Sequence, residues 1–427
     1  MLKSYSPFLK HLQNLLASQT ELPDFSKQVE SAVNGLASSQ LENLVSRAQL
    51  KKSGAFFSSP ELSRRVACEL KSNNRKTALV VDPACGAGNL LLAAASDLAV
   101  APTLSATLKS WGTKLAGFDI HDEFVKATHL RLALYACHRG AKFDLPLDSA
   151  ISDYFPNIKK ADGTVAIASL QSKRCHILLN PPYAVVKTPQ NYNWISGNVN
   201  QAAVFLVQCI EKLKPQSRIT AILPDVLRSG TRYAKWRNQL EEIVSIKKIE
   251  SVGNFITADV DVFVIDLEID NTKPGLAPGV TWWEDNISQK ISDNFHVSVG
   301  AVVKHRINKN DKIVPYIHAK GLPQWGEITN PTESVAFSGR IESPPFVVIR
   351  RTSSPSDKKR AIATIVTGKR KVAIDNHLLI CTPKAGGYAQ CKKLIGILKD
   401  DTTNLHLNNR IRCRHLTVGV VKDIPAP

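Results

Sequence analysis

The chain contains no apolar run of about 18 residues, the length a membrane-crossing helix needs, so no membrane span is expected. Its opening residues, MLKSYSPFLKHLQNLL, alternate polar with apolar and lack a continuous apolar core, so no secretory leader is expected either. Eight cysteines occur, at 68, 85, 137, 175, 209, 381, 391 and 413, and no two lie within four residues of each other. That spacing offers no zinc pair, and no metal is expected. A reduced, cytoplasmic compartment is the simplest inference. There is no internal repeat, no low-complexity tract and no convincing PD…(D/E)xK arrangement, so a fused nuclease is not expected.

Acidic residues are scarce relative to basic ones: 37 Asp/Glu stand against 55 Lys/Arg, a formal charge of +18. Such an excess points to a polyanionic partner, nucleic acid or less often an anionic membrane surface, and says nothing about fold. From Arg340 to Pro427 there are 17 basic and 6 acidic side chains, a net of +11, so over half the surplus lies in the last fifth of the chain. A merely solvated face would look the same. Hydrophobic residues make up 43% of the 427, enough for a sizeable core and two or three domains.

Residues 5–50 read as helical, with Phe8, Leu9, Leu12, Leu15 and Leu16 on one face. From 77 to 270 short β-branched runs alternate with helical stretches: TALVVD, KLAGFDI, HILLN and RITAILP are each followed by an amphipathic or apolar segment. That alternation predicts βαβ units around a mostly parallel sheet. IKKIESV (246–252) and DVFVIDLEI (261–269) follow closely and suit an antiparallel pair at the sheet's edge. NTKPGLAPG (271–279), with two prolines and two glycines, reads as a linker. Beyond it short strands with polar breaks replace the βα rhythm. The expected organisation is a helical region 1–50, an α/β domain 51–270 and a basic mixed α+β domain 281–427.

The first strand runs into Asp82-Pro83-Ala84-Cys85-Gly86-Ala87-Gly88-Asn89. A glycine-rich turn between strand and helix lets backbone approach a ligand closely. It matches neither the G-x-G-x-x-G dinucleotide fingerprint nor a P-loop with its terminal Gly-Lys-Ser/Thr. The Asp82 carboxylate suits a cationic or amine-bearing ligand better than a phosphate. S-adenosylmethionine, with its sulfonium and α-ammonium, fits that charge. The next strand ends in Gly117-Phe118-Asp119-Ile120, where an acidic residue can accept from both hydroxyls of a ribose. Structural glycines in turns are common, and it is the pairing with Asp119 that favours a ligand.

The third such strand ends in Asn180-Pro181-Pro182-Tyr183. The exocyclic amine of adenine is a poor nucleophile because its lone pair is delocalised into the ring. Two acceptors that grip its N–H bonds localise that lone pair towards a methyl donor, and dipoles already in place stabilise the charge that develops. The Asn180 carboxamide oxygen is one acceptor and the following peptide carbonyl the other. Pro181 and Pro182 hold φ near −65° and bring no competing N–H. Tyr183 offers a flat face on which a base can stack, worth roughly 1–3 kcal/mol. A strand-terminating turn with an incidental aromatic is the alternative. A chance NPPY in a chain of this length is roughly a one-in-a-thousand event at average residue usage.

These residues resemble the S-adenosylmethionine-dependent amino-methyltransferases, and more narrowly the gamma-class adenine-N6 DNA methyltransferases of bacterial restriction–modification systems. The resemblance covers most of the chain. Gly54-Ala55-Phe56-Phe57-Ser58-Ser59-Pro60 is similar to that family's G-x-[FY]-[FY]-T-P segment, with Ser59 in place of the usual Thr. Asp82 to Gly88 looks like its D-P-x-C/M-G-x-G loop, and Asn180 to Tyr183 like its catalytic loop. The resemblance implies a Rossmann-like class I fold with a seven-stranded sheet, and a C-terminal target-recognition domain. It implies cofactor contacts from Phe57, Ser59, Pro60, Asp82, Ala84, Gly86, Gly88, Asp119, Ile120, Asp153, Tyr154 and Asn180. Asp153 stands where the family has an acid on the cofactor's adenine amine, although Ser152 replaces the usual Gly. Phe255 would share a flipped adenine with Tyr183, unless it is an ordinary core Phe. Arg350 and Arg351 would contact guanine edges or phosphates, surface salt bridges being the alternative.

The reaction so implied is methyl transfer to N6 of an adenine flipped out of a specific duplex sequence. The partners implied are double-stranded DNA and a separate cognate endonuclease, with a monomer favoured. Two other readings stay open. NPPY also serves methyltransferases acting on RNA amines or on a protein glutamine, and a non-catalytic DNA-binding subunit could keep the same fold.

Overall fold

Short aliphatic runs form the centre of the fold in a computed structural model, which describes residues 5–18, 25–34, 37, 39–40, 58–70, 78–146, 150–255, 260–270, 272–283, 289–353, 357–411 and 415–426. The chain divides into two compact units, Met1–Arg228 with Arg232–Thr281, and Ser229–Thr231 with Trp282–Pro427. Among the described residues, no helix is long and apolar enough to cross a membrane.

The first unit begins with helices α1 (Ser6–Ser18), α2 (Phe25–Asn34) and α3 (Pro60–Ala67). Phe8, Leu12, Leu15 and Leu16 form the buried stripe of α1, one helical face as their spacing requires. Then β1 (Leu79–Asp82) leads to α4 (Asn89–Ala95) and α5 (Leu104–Gly112), β2 (Leu115–Asp119) to α6 (Asp122–His138), and β3 (Ile158–Lys160) to α7 (Gly163–Ala166). After β4 (Cys175–Leu179) a small hairpin, β5 (Val185–Lys187) and β6 (Asn198–Asn200), precedes α8 (Gln201–Ile210). The unit closes with β7 (Arg218–Pro224), α9 (Asp225–Ser229), α10 (Ala234–Ile243), β8 (Ser245–Phe255), β9 (Val260–Glu268) and β10 (Gly275–Leu276).

These strands make one eight-stranded sheet in the order β10-β8-β9-β7-β4-β1-β2-β3. The five from β3 to β7 are parallel, and β4 and β7 are buried along their whole length, as expected of strands covered on both faces. The predicted antiparallel pair forms, but β9 inserts between β7 and β8 and is antiparallel to both. The sheet also has one strand more than the seven expected. Gly275 and Leu276, inside the predicted linker, pair with Ser245 and Ile246 on the outer side of β8. An edge position asks for hydrogen bonds on one side only, so a Gly/Pro-rich segment can occupy it.

Helix α6 is buried around most of its circumference, from Phe124 to Ala136, because it packs on β2 and β3 while α1 and α2 cover its other side. The helical N-terminal segment is therefore part of the sheet-containing unit. Strand order reverses between β1 and β4: the chain runs β1, β2, β3 outwards, then returns to β1's other side. The carboxyl ends of strands at such a switch point form a ligand crevice.

The second unit contains α11 (Ile291–Asn294), β11 (Phe295–Val299), β12 (Ile313–Ile317), β13 (Glu327–Ile328), β14 (Glu333–Ala336), β15 (Phe346–Arg350), β16 (Ala363–Val366), β17 (Ala373–Ile374) and β18 (Leu378–Pro383), followed by α12 (Gly387–Lys399), α13 (Asp401–Arg410) and α14 (Val418–Lys422). A five-stranded sheet, β11-β18-β15-β16-β13, lies beside a three-stranded one, β14-β12-β17. Alternation along β15 serves two cores. Val347 and Ile349 pack with Leu394 and Leu398 of α12, whereas Phe346 and Val348 pack with Ile374 and Ile380. Between β16 and β17 the chain turns through Gly368 at φ 103° and presents Lys369, Arg370 and Lys371, all exposed.

Candidate active site

The loop after β1 is built to hold its shape. Asp82 Oδ1 accepts the Ala84 N–H at 3.0 Å, closing an Asx turn that bends the chain out of the strand. The Asp82 carboxyl is 1% exposed; burial, reinforced by the nearby Asp119 charge, pushes its pKa up to about 8. Asp82 thus braces the loop from beneath. Gly86 and Gly88 take φ of 51° and 87°, and a Cβ on Gly88 would lie 2.8 Å from Thr128 Cγ2. Thr128 Oγ1 in turn donates to the Gly86 carbonyl at 2.9 Å.

Asp119 ends β2 and reaches back to the same loop: its Oδ2 accepts the Gly86 N–H at 3.0 Å, and its Oδ1 accepts the His121 N–H at 2.8 Å. Oδ1 also lies 3.0 Å from His121 Nδ1, so Oδ2 is the oxygen that retains a lone pair for a further donor. Ile120 beside it stands 61% exposed and offers an apolar face.

A cavity of about 500 Å³ opens at these strand ends, within the usual range of small-molecule clefts. Ala84, Gly86, Asp119, Ile120, Asn180 and Pro182 line it, so residues from three predicted motifs meet there. Asp153 and Tyr154 do not. They form a 3-10 turn, Ile151–Tyr154, that precedes β3 and so lies towards its amino end, and neither lines the cavity. The acid after β3 is Asp162, which does line the cavity and caps α7 by accepting from Thr164 N–H at 2.9 Å. Gly163 follows it because a Cβ there would sit 1.7 Å from the Pro83 carbonyl oxygen. Asp162 was hard to find from the sequence: β3 is three residues long with only Ile158 buried, too weak a pattern to mark a strand end.

Asn180 follows β4 directly. Its Nδ2 donates to Ser58 Oγ at 2.9 Å, and its Oδ1 accepts from the Tyr183 hydroxyl at 2.9 Å. The Tyr183 hydroxyl also lies 3.3 Å from the Ile222 carbonyl, and the ring is 9% exposed. Burial pushes the phenol pKa well up, so it stays protonated and remains a donor. The hydroxyl facing Asn180 is that of Ser58, beside the Ser59 expected to contact the cofactor. Ser59 is exposed and caps α3, accepting the Leu62 N–H at 3.2 Å, with Pro60 in the first turn where its missing N–H costs nothing. Pro60 is not part of the cavity lining.

Phe57 lies outside the described residues. Phe255 ends β8, where it pairs with Val260, and its side chain is outside the described set. In the second unit Arg350 and Arg351 are half-buried, and neither pairs with a carboxylate among the described residues. Arg350 donates to the Leu322 carbonyl at 2.8 Å and Arg351 to the Asn376 carbonyl at 3.4 Å.

The type IIL restriction-modification enzyme MmeI, solved in complex with DNA, superposes with a TM-score of 0.53 at 14% identity, over 91% of this chain and 70% of its own. A protein from Listeria monocytogenes described as a class I S-adenosylmethionine-dependent methyltransferase gives 0.39 at 14% identity, over 66% of this chain and 92% of its own. The M protein of the type I restriction enzyme EcoKI gives 0.38 at 15%, over 63% and 64%. No curated protein matches in sequence. The model of one family, described as N-6 DNA Methylase, matches residues 40–272, the span that carries the cavity and every motif lining it. The chain is a member of the N-6 DNA methylase family, with a fold like that of MmeI.

Proposed function

We propose that the protein transfers a methyl group from S-adenosylmethionine to the N6 amine of an adenine flipped out of a specific duplex DNA sequence. The observation that carries this reading is the convergence of Asn180 and Pro182, the Gly86 loop and Asp119 on one cavity at the switch point of the sheet.

The residues present fit the cofactor. Gly86 and Gly88 leave room for close backbone approach, Asp119 Oδ2 keeps acceptor capacity for a ribose hydroxyl, and Ile120 offers an apolar surface for a purine ring. Asp162 replaces Asp153 as the acid for the adenine amine. Bound there, S-adenosylmethionine supplies an electrophilic methyl on a sulfonium.

Asn180 Oδ1 and the Pro181 carbonyl then accept the two N–H bonds of the target amine and direct its lone pair at that methyl. Neither acts as a base; both are dipoles fixed before the reaction, and that preorganisation is what accelerates transfer. Tyr183 supplies the stacking face once its ring turns out of the packed position.

The second unit is the DNA target-recognition domain in this reading. Its basic surplus supplies affinity for phosphates, and its exposed turn at Lys369–Lys371 is a contact point. The biological setting is protection of host DNA beside a separate restriction endonuclease.

Labelled S-adenosylmethionine offered with unmethylated duplex DNA, ribosomal RNA and a release factor tests the substrate. Label in duplex DNA alone, at adenine N6, is expected; label only in RNA or protein overturns the reading. Asn180→Ala is expected to lose methylation by at least about 100-fold with DNA binding retained. Full turnover in that variant removes the mechanism.

A further inference from the structure

Arg131 of α6 is 1% exposed, yet among the described residues every acceptor it bonds is an uncharged oxygen. Its Nε donates to the Ala32 carbonyl at 2.9 Å and its Nη2 to the Val33 carbonyl at 2.6 Å. Both carbonyls belong to the last turn of α2, where the helix dipole favours a cation. Its Nη1 donates to the Ala87 carbonyl in the glycine loop and to Asn89 Oδ1, the latter at 2.7 Å. A buried guanidinium without a carboxylate is costly, and persists only where many well-placed dipoles replace water.

The contacts continue beyond Arg131. Asn89, its Oδ1 held by the guanidinium, donates from Nδ2 to the Ser58 carbonyl at 2.6 Å. Ser58, 3% exposed, accepts Asn180 Nδ2 on its hydroxyl at 2.9 Å. Three hydrogen bonds therefore join Arg131 to Asn180 through Asn89 and Ser58. Neither Arg131 nor Asn89 lines the cavity.

We propose that Arg131 is a positioning residue for methyl transfer: through Asn89 and Ser58 it holds the Asn180 carboxamide in place, and it anchors the glycine loop with the same guanidinium. The anchorage of Arg131 itself lies in α2, ahead of the span from residue 40 that the family model matches. Helix α2 is thereby part of the support of the site. This inference rests on the reading of Asn180 as an aligned acceptor.

The test is single-turnover methylation of unmethylated, PCR-amplified DNA carrying the site mapped with the wild-type enzyme, at saturating S-adenosylmethionine, with cofactor affinity and melting temperature measured alongside. Asn89→Ala and Ser58→Ala are each expected to slow transfer about tenfold, the scale of one hydrogen bond, with cofactor affinity within about twofold. The double variant is expected to be no slower than either single one by more than about twofold, because both cut one path. Arg131→Met slows transfer at least as much and also weakens cofactor binding, since Ala87 loses its anchor. Should Arg131→Met fail to fold, Asn89→Asp separates the roles. It keeps the acceptor for Arg131 and hence the melting temperature, but loses the donor to Ser58 and hence about tenfold in rate. Wild-type rates in Asn89→Ala and Ser58→Ala, effects that multiply, or a rate that only follows melting temperature would overturn the proposal. A wild-type enzyme that methylates no DNA overturns instead the reading on which it rests.

Discussion

Tyr183 donates its hydroxyl to Asn180 Oδ1 across 2.9 Å, so the oxygen that a target amine must reach is already engaged by the neighbouring aromatic residue. The ring is packed at the same time. Entry of a base therefore exchanges one hydrogen bond for another and frees the ring for stacking. Tyr183→Phe keeps the stacking face and is expected to methylate within about threefold of wild type. Tyr183→Ala is expected to lose about 5- to 150-fold, matching the 1–3 kcal/mol of a base–aromatic stack. Steady-state methylation by both variants is the measurement, and an inactive Tyr183→Phe would contradict the assignment.

The buried carboxyl of Asp82 makes a prediction about pH. Its folded pKa, about 8, lies above the ordinary carboxylate range, so the folded state holds the proton more tightly than the unfolded chain. Its contribution to stability is full at acid pH, declines as pH rises above the unfolded value near 4, and is lost through about 8. Asp82→Asn is neutral throughout. The melting temperature of Asp82→Asn minus that of wild type is expected to increase from pH 5 to pH 9. A flat or falling difference in thermal scans at several pH values would count against a buried, proton-holding Asp82.

Asp162 and Asp153 are distinguishable by cofactor binding. Asp162 lines the cavity after β3, whereas Asp153 sits in the turn before it. Asp162→Ala is expected to weaken S-adenosylmethionine binding by about 10- to 100-fold, the scale of a hydrogen bond to a charged group. Asp153→Ala is expected to leave it unchanged. Equilibrium dialysis with labelled cofactor decides, and the reverse ranking would restore Asp153.

Lys369, Arg370 and Lys371 share an exposed turn held by Gly368, whose Cβ position lies 2.7 Å from the Thr329 carbonyl oxygen. Replacing all three by Gln is expected to weaken DNA binding and to lower the slope of log affinity against log salt by up to about 3, at about 0.9 for each phosphate no longer neutralised. Methyl transfer at saturating DNA should persist. An unchanged slope in filter-binding titrations would show that the turn does not touch phosphate.

The parts of the site that local pattern marks strongly were legible. Asp119 and Asn180 follow apolar runs whose strands are buried, and the glycine pair and Pro-Pro turn each constrain backbone in a way few residues permit. Where the local signal was weak, the sequence said little. A three-residue edge strand with one buried side chain hid Asp162, and nothing local marks Ser58 as the serine buried against Asn180. Tyr183 could be read as an aromatic face, but not as a phenol turned onto its own neighbour.

Composition and order alone determined that this chain would fold around a parallel α/β sheet, carry a rigid acceptor turn at a strand end, and bear a cationic surplus towards its C-terminal part. These follow from backbone sterics, hydrophobic period and charge, which act over a few residues. Tertiary structure decided which acid reached the cavity, which serine met Asn180, and that Arg131 would join α2, the glycine loop and the carboxamide. Those are contacts between residues as many as 122 positions apart, as for Ser58 and Asn180, and only packing of the whole unit chooses among them.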